Sequence, residues 1–224
     1  MSNNSKSLYN FGGITAVISG LAMIFLGYWF TFQSDNLKEV ILNDATLNQA
    51  TLNLNAAMHG VGVLTTILLV PTIIATTILL IKDAKNGALL GIGFATIWII
   101  FELLAHSSQT TPLKALGDII IADETTKEFG QQISSVWLSS VEAMTKIGLF
   151  CFAVSAVFYG ISMQKWGNSI SANLFYISAI AFILTFFIGT EFDWYIFVRG
   201  ITFLFLGGVL IQAPSDSIEE LWES

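Results

Sequence analysis

Six apolar runs alternate with polar segments along the chain. They cover about residues 9–31, 59–81, 88–106, 137–162, 170–190 and 194–212. An α-helix rises about 1.5 Å per residue, so roughly 20 apolar residues span the ~30 Å hydrocarbon core of a bilayer. The pattern therefore predicts an all-α fold, a polytopic membrane bundle of about six transmembrane helices.

Short polar joints connect three pairs of these runs. KDAKNG separates the second run from the third, QKWGN the fourth from the fifth, and TEFD the fifth from the sixth. Joints of this length are typical of antiparallel neighbours, so we expect up-and-down hairpins. The two longer connections, about residues 32–58 and 107–136, fall on one side. In the first we expect a surface helix around Leu37, Val40 and Ile41, and in the second an apolar patch followed by a solvated stretch.

Composition supports a membrane class. Hydrophobic residues make up 54 % of the chain, charged residues only 11 %, and the mean hydropathy is +0.72. A soluble domain of 224 residues would need more charge to cover its surface. We interpret residues 1–224 as one integral membrane domain that ends in an acidic tail, residues 213–224.

Charge indicates orientation and partners. Lysines in the short flanks favour both termini in the cytoplasm and a place in the cell membrane. The net charge is -7 and Lys and Arg do not cluster, which argues against nucleic acid as a partner. The expected partners are the lipid bilayer and a second membrane protein or another copy of this chain.

Ionisable residues gather at one predicted depth. Glu102 lies about 21 Å along the third span if that span starts near residue 88. The same reckoning places seven residues in one outer polar layer: His59, Glu102, His106, Glu142, Lys146, Glu191 and Arg199, with Asp193 at its border. A charged residue inside a bilayer costs about 2.5–3.5 kcal/mol, so these side chains should face the bundle and pair.

Sequence spacing suggests the pairs. Glu142 and Lys146 are four residues apart, and so are Glu102 and His106, which places each pair on one helix face. We expect Arg199 to reach Glu191 or Asp193 across the TEFD turn.

The same residues permit a metal site. His59, Glu102, His106 and Glu142 together supply imidazole and carboxylate ligands that suit iron, zinc or manganese in a helical bundle. Such a metal ion would make the protein a metal-dependent membrane enzyme that hydrolyses or oxidises a lipid. The two histidines could also bind a haem axially.

Two other functions fit the layer. Intramembrane Glu and His residues can exchange protons, as in a small-solute or proton-coupled transporter. Alternatively the layer is a structural clamp that fixes the helices, which would suit an accessory subunit of a membrane complex. We favour the structural interpretation and leave open whether the protein is an enzyme, because the sequence contains no recognisable catalytic triad, nucleophile elbow or phosphate loop.

The layout resembles the uncharacterised six-helix integral membrane proteins of bacteria and archaea grouped under domains of unknown function. The resemblance rests on LLVPTIIATTILLIKDAKNGALLGIGFATIW in the second and third spans and on FCFAVSAVFYGISMQKWGN in the fourth. It implies a six-helix bundle and assigns no catalytic residues.

Overall fold

The computed structural model describes residues 2–32, 49–122, 124–188 and 194–213. These are helical apart from Thr110, residues 166–168 and Ala213. The helices are α1 (Ser2–Phe32), α2 (Gln49–Gln109), α3 (Thr111–Ala122), α4 (Glu124–Lys165), α5 (Ser169–Ile188) and α6 (Trp194–Gln212). All except the 12-residue α3 are long and apolar enough to cross a membrane. The predicted all-α class is confirmed for the described residues.

Helix α2 folds back on itself. It contains 61 residues, and its backbone departs from helical geometry at Ala84, where φ is -144° and ψ is 49°. Side chains far apart in sequence then meet, since Nδ1 of His59 lies 3.0 Å from Nδ1 of His106. Residues 49–83 and 85–109 are therefore two antiparallel limbs, called here the first and second limbs of α2. They correspond to the second and third predicted spans.

The joint between α4 and α5 is a three-residue turn. Gly167 adopts a left-handed φ of 92°, which a side chain would disfavour. Its N–H donates to the carbonyl of Gln164, and the N–H of Asn168 donates to the carbonyl of Met163, the pattern that ends helices at glycine. The Asn168 side chain then accepts the N–H of Ser171 and caps α5. The tight hairpin predicted from QKWGN is present.

Residues 107–136 are largely helical where the structure describes them. The apolar patch lies in α3, and the solvated stretch expected after it is the mostly exposed start of α4, which begins at Glu124. The two helices pack together, because Leu113 and Ile120 of α3 are buried against Trp137 and Leu138 of α4. The surface helix expected around Leu37, Val40 and Ile41 and the acidic tail 214–224 lie outside the described residues.

These segments form a small helical cap, defined here as α3 with residues 49–55 of α2 and 124–138 of α4. Leu52 is 2 % exposed and fills the space beside Gly117, where an added Cβ would lie 2.6 Å from the leucine Cδ1. Gly130 similarly admits Ile120, with an added Cβ 2.7 Å from Cγ1. The cap therefore has a core of its own at one end of the long helices.

The five long helices close into a ring. Helix α1 packs on α2 and α6, α2 on α4, α4 on α5, and α5 on α6. Polar side chains link neighbours inside the ring, for example Thr77 with Tyr159 at 2.8 Å and Ser178 with Thr202 at 2.7 Å. Such contacts help helices associate where lipid offers no hydrophobic drive. Trp98 lies at the centre and is 1 % exposed.

Glycines bring α1 and α6 together in antiparallel register. A Cβ at Gly20 would lie 2.7 Å from the Gly200 carbonyl oxygen, and a Cβ at Gly200 would lie 2.8 Å from the Gly20 oxygen. Gly13 and Gly207 repeat the arrangement at 2.9 and 2.8 Å. Any side chain at these positions would meet backbone, so the glycines set the spacing of the two helices.

Candidate functional site

A buried ion pair joins the second limb of α2 to α6. Nη1 of Arg199 lies 2.6 Å from Oε1 and 2.8 Å from Oε2 of Glu102. The two side chains are only 6 % and 12 % exposed. One turn earlier on the same limb, the indole N–H of Trp98 donates to Oε2 of Glu102. Both carboxylate oxygens therefore accept from donors, which is the condition for a charge to be tolerated inside a protein.

Aromatic rings surround the guanidinium of Arg199. Its Cζ lies 5.4 Å from the ring centre of Trp98 and 5.9 Å from that of Phe182. Cations at this distance are attracted by the ring face, more strongly where water is excluded. Nε of Arg199 is buried and has no hydrogen-bond partner among the described residues. The rings thus stabilise a charge that also pairs through Nη1 with Glu102.

Two histidines extend the ion pair to the first limb of α2. His59 is 7 % exposed, and its Nδ1 lies 3.0 Å from Nδ1 of His106. At this distance the two nitrogens are hydrogen-bonded, so one Nδ1–H donates and the other Nδ1 accepts. Nε2 of His106 lies 3.8 Å from Oε1 of Glu102, as their four-residue spacing suggested. We call the set of Arg199, Glu102, His106, His59 and Trp98 the polar cluster.

A glycine makes room for the imidazole pair. A Cβ at Gly62 would lie 2.6 Å from Cε1 of His106, so an alanine there would displace the ring. On the other side, the ring of Phe30 from α1 lies 5.1 Å from the ring of His59. The imidazoles are therefore held between the limbs of α2 with an aromatic ring of α1 against them.

The structure separates the predicted polar layer into two groups. Glu142 and Lys146 form the ion pair expected from their spacing, at 2.7 Å on α4. Their side chains are 39 % and 42 % exposed, unlike those of the polar cluster. The predicted partners of Arg199, Glu191 and Asp193, lie outside the described residues. The structure pairs Arg199 with Glu102 of a different helix, a partner that the sequence spacing did not predict.

The four predicted metal ligands are not assembled as one set. Among residues 2–32, 49–122, 124–188 and 194–213, no three His, Cys, Asp or Glu side chains group so that they could hold a metal ion. His59, Glu102 and His106 do meet, while Glu142 pairs with Lys146. The carboxylate of Glu102 instead faces Arg199 and Trp98, and Nδ1 of each imidazole faces the other.

No family model, no curated protein and no solved structure matches the chain. The resemblance to six-helix membrane proteins of unknown function therefore stays a prediction. The polar cluster and its surroundings are the basis on which a function can be proposed.

Sequence reasoning missed two members of the site. Trp98 lies four residues before Glu102, just as His106 lies four residues after it, so the three residues share one helix face. That spacing is a signal that could have found the indole donor. Gly62 lies three residues after His59, and only the fold shows that its missing side chain admits His106.

The interior beside the polar cluster is closely packed. A cavity of about 10 Å³ lies among Trp98, Thr76, Ser155, Tyr159 and other side chains. This volume accommodates about one water molecule. The cavity is therefore a packing defect of the core and too small for a metabolite.

Proposed function

We propose that the chain is a multi-pass integral membrane protein of structural or accessory type, and that the polar cluster is a clamp that holds its helices in register. The two limbs of α2 would count as separate crossings, giving six in all. Both termini would then lie on one side, and the lysine distribution favours the cytoplasmic side of the cell membrane.

One observation carries the clamp proposal, the buried pair of Glu102 and Arg199. A lone guanidinium in a bilayer is costly, whereas a guanidinium paired to a carboxylate on another helix fixes how the two helices meet. The pair links two helices, and the histidines extend the connection to a third segment. Charged groups that are paired with each other and packed against aromatic rings stabilise the fold and leave little room for a substrate.

Membrane insertion has a direct test. Membranes that contain the protein are washed with alkaline carbonate, and single cysteines in a Cys151→Ala background are labelled with a membrane-impermeant maleimide. We expect the protein to stay in the pellet. Cysteines at positions 6 and 165 should be accessible to the reagent from one side of the membrane only. A cysteine at position 54 should be accessible only from the opposite side. Release by carbonate, or equal labelling of all three positions, would contradict the proposal.

The alternative of proton-coupled transport is favoured by one observation, the hydrogen bond between two imidazoles. Such a pair can bind and pass on a proton. Purified protein in liposomes with an enclosed pH dye would distinguish the two functions. If the polar cluster is a clamp, liposomes that contain the protein should show the same proton flux as liposomes without it. A flux that the wild type carries and that His106→Gln removes would instead support transport.

A further inference from the structure

Helix α4 presents a continuous uncharged stripe on its exposed face. The stripe runs from Phe129 to Ile161, with successive members alternately four and three residues apart, and reads F, I, V, S, A, I, F, V, V, I. Nine of these ten positions are exposed, and Val154 is partly exposed. We call this set of positions the α4 stripe.

The spacing of the α4 stripe is that of a coiled-coil seam. Alternation of four and three gives an average of 3.5 residues, the repeat with which two helices stay in contact over several turns. In this register the a positions read I, S, I, V, I and the d positions F, V, A, F, V, so both sets are apolar except for Ser140. Ser140 and Ala143 lie at the middle, where small side chains allow a close approach of two backbones.

Lipid covers only part of the α4 stripe. The 42 residues of α4 measure about 63 Å, roughly twice the ~30 Å hydrocarbon core. With Lys165 at one membrane edge, the half before about residue 144 lies beyond the other edge, in the region of the cap. Phe129 is 65 % exposed there, Ile133 36 % and Val136 70 %. An apolar patch of this kind outside the bilayer marks an interaction surface.

We propose that the α4 stripe is the contact between two copies of this chain, related by a two-fold axis along the membrane normal. The proposal rests on the proposed membrane insertion, since copies inserted in the same direction present α4 in parallel. A partner must offer a long uncharged heptad face that continues from the bilayer into water. Helix α4 is such a helix, and a parallel two-fold contact pairs each stripe position with its own copy.

The available area suffices for a specific contact. With roughly 120–200 Å² for a fully exposed Val, Ile or Phe side chain, the exposed fractions along the stripe correspond to about 500–600 Å² per copy. Two copies would bury about 1,000–1,200 Å², which reaches the ~1,000 Å² expected of a biological interface. No charged side chain lies in the stripe, so no like charges would face each other across the axis.

Disulfide cross-linking in native membranes tests this contact. In a Cys151→Ala background, which removes the buried native thiol, Val136→Cys should form an oxidant-dependent dimer. Positions of a coiled-coil seam place paired Cα atoms within the ~4.4–6.8 Å that a disulfide spans. The control is Glu128→Cys, an exposed position on the same helix beside the stripe, which should remain a single chain. Equal cross-linking of the two variants, or none at Val136, would overturn the proposal.

A charge substitution gives an independent measurement. Light scattering in mild detergent should give the protein mass of two 24.5 kDa chains, and Val136→Glu should halve it. Leu54→Glu is the matched control, since Leu54 is 43 % exposed in the cap but not on α4, and it should keep the mass of two chains. A wild type with the mass of one chain, or a Val136→Glu variant that keeps the mass of two, would overturn the proposal.

The cross-linking and mass results also separate the possible failures. If carbonate releases the protein, the proposed membrane insertion fails. If the protein stays in the membrane and neither dimer appears, only the α4 contact fails. If the protein is a monomer and a brominated lipid quenches a fluorophore attached at position 136, the bilayer surface covers the stripe instead of a second copy.

Discussion

Replacing Glu102 by glutamine is expected to destabilise the bundle by about 3 kcal/mol, while the same change at Glu142 should cost less than about 0.5 kcal/mol. Both substitutions keep the shape of the side chain and remove one negative charge. They differ in burial, because Glu102 is 12 % and Glu142 39 % exposed. The comparison therefore isolates what burial adds to an ion pair.

The magnitude follows from the partner that each glutamate leaves behind. Arg199 is 6 % exposed, so the neutral amide of the Glu102→Gln variant leaves a buried guanidinium without a counter-charge. Breaking a buried pair in this way costs about 3–5 kcal/mol, and a lone arginine in a bilayer about 2.5–3.5 kcal/mol. Lys146 is 42 % exposed and remains solvated when Glu142 is neutral, and exposed pairs contribute about 0–1 kcal/mol.

Thermal unfolding of the detergent-solubilised protein measures the difference. For a chain of this length, about 3 kcal/mol corresponds to a fall in Tm of roughly 6–12 °C. Adding Arg199→Leu to Glu102→Gln should recover much of the loss, because removal of both charges leaves none unpaired. If Glu102→Gln melted within a degree of Glu142→Gln, or if the double variant were no more stable than the single one, the ion pair would not be the clamp we describe.

The other predictions use neighbouring positions as controls. Gly200→Ala should lower the Tm by several degrees since its Cβ meets the α1 backbone, whereas Gly208→Ala, with nothing within 4 Å, should be neutral or stabilising. Gly62→Ala should displace the imidazole pair and destabilise, and Gly60→Ala, also with open space, should not. If the two alanine variants of either pair melted at the same temperature, the close contacts described at Gly200 or Gly62 would be contradicted. Arg199→Lys keeps the charge but replaces the planar guanidinium, and should cost about 1–2 kcal/mol in the same assay; an unchanged melt would show that the shape of the guanidinium adds nothing.

The hydrophobic pattern predicted most of the helices because an apolar run long enough to span a bilayer is expected to form a single helix. Residues 194–212 were predicted as a span and α6 covers Trp194–Gln212, while α5 ends at Ile188, close to the predicted residue 190. The fourth span was predicted from about residue 137, and α4 begins earlier, at Glu124, where the sequence has no continuous apolar run. Depth along a span is local information, and it grouped four residues that meet, His59, Glu102, His106 and Arg199, with the separate pair of Glu142 and Lys146.

Partners across the fold could not be predicted from spacing. Glu102 and Arg199 are 97 residues apart in sequence, and only the order of helices around the ring brings them together. The i and i+4 pairs of Glu102 with His106 and of Glu142 with Lys146 needed no such knowledge. The contact between His59 and His106 depends on the reversal at Ala84, which the KDAKNG joint predicted, and on the space at Gly62, which leaves no clear sequence signal.

The pairing of Arg199 with Glu102 has a consequence for biosynthesis. Under the proposed membrane insertion, ribosomes make Glu102 long before Arg199, so the carboxylate would already be in the membrane when the segment carrying the cation reaches the translocon. That segment would gain its counter-ion only by meeting the earlier helices, which would make its lateral exit from the translocon conditional on their correct placement. Chains in which the earlier helices are misplaced would keep α6 exposed to the quality-control proteases of the membrane.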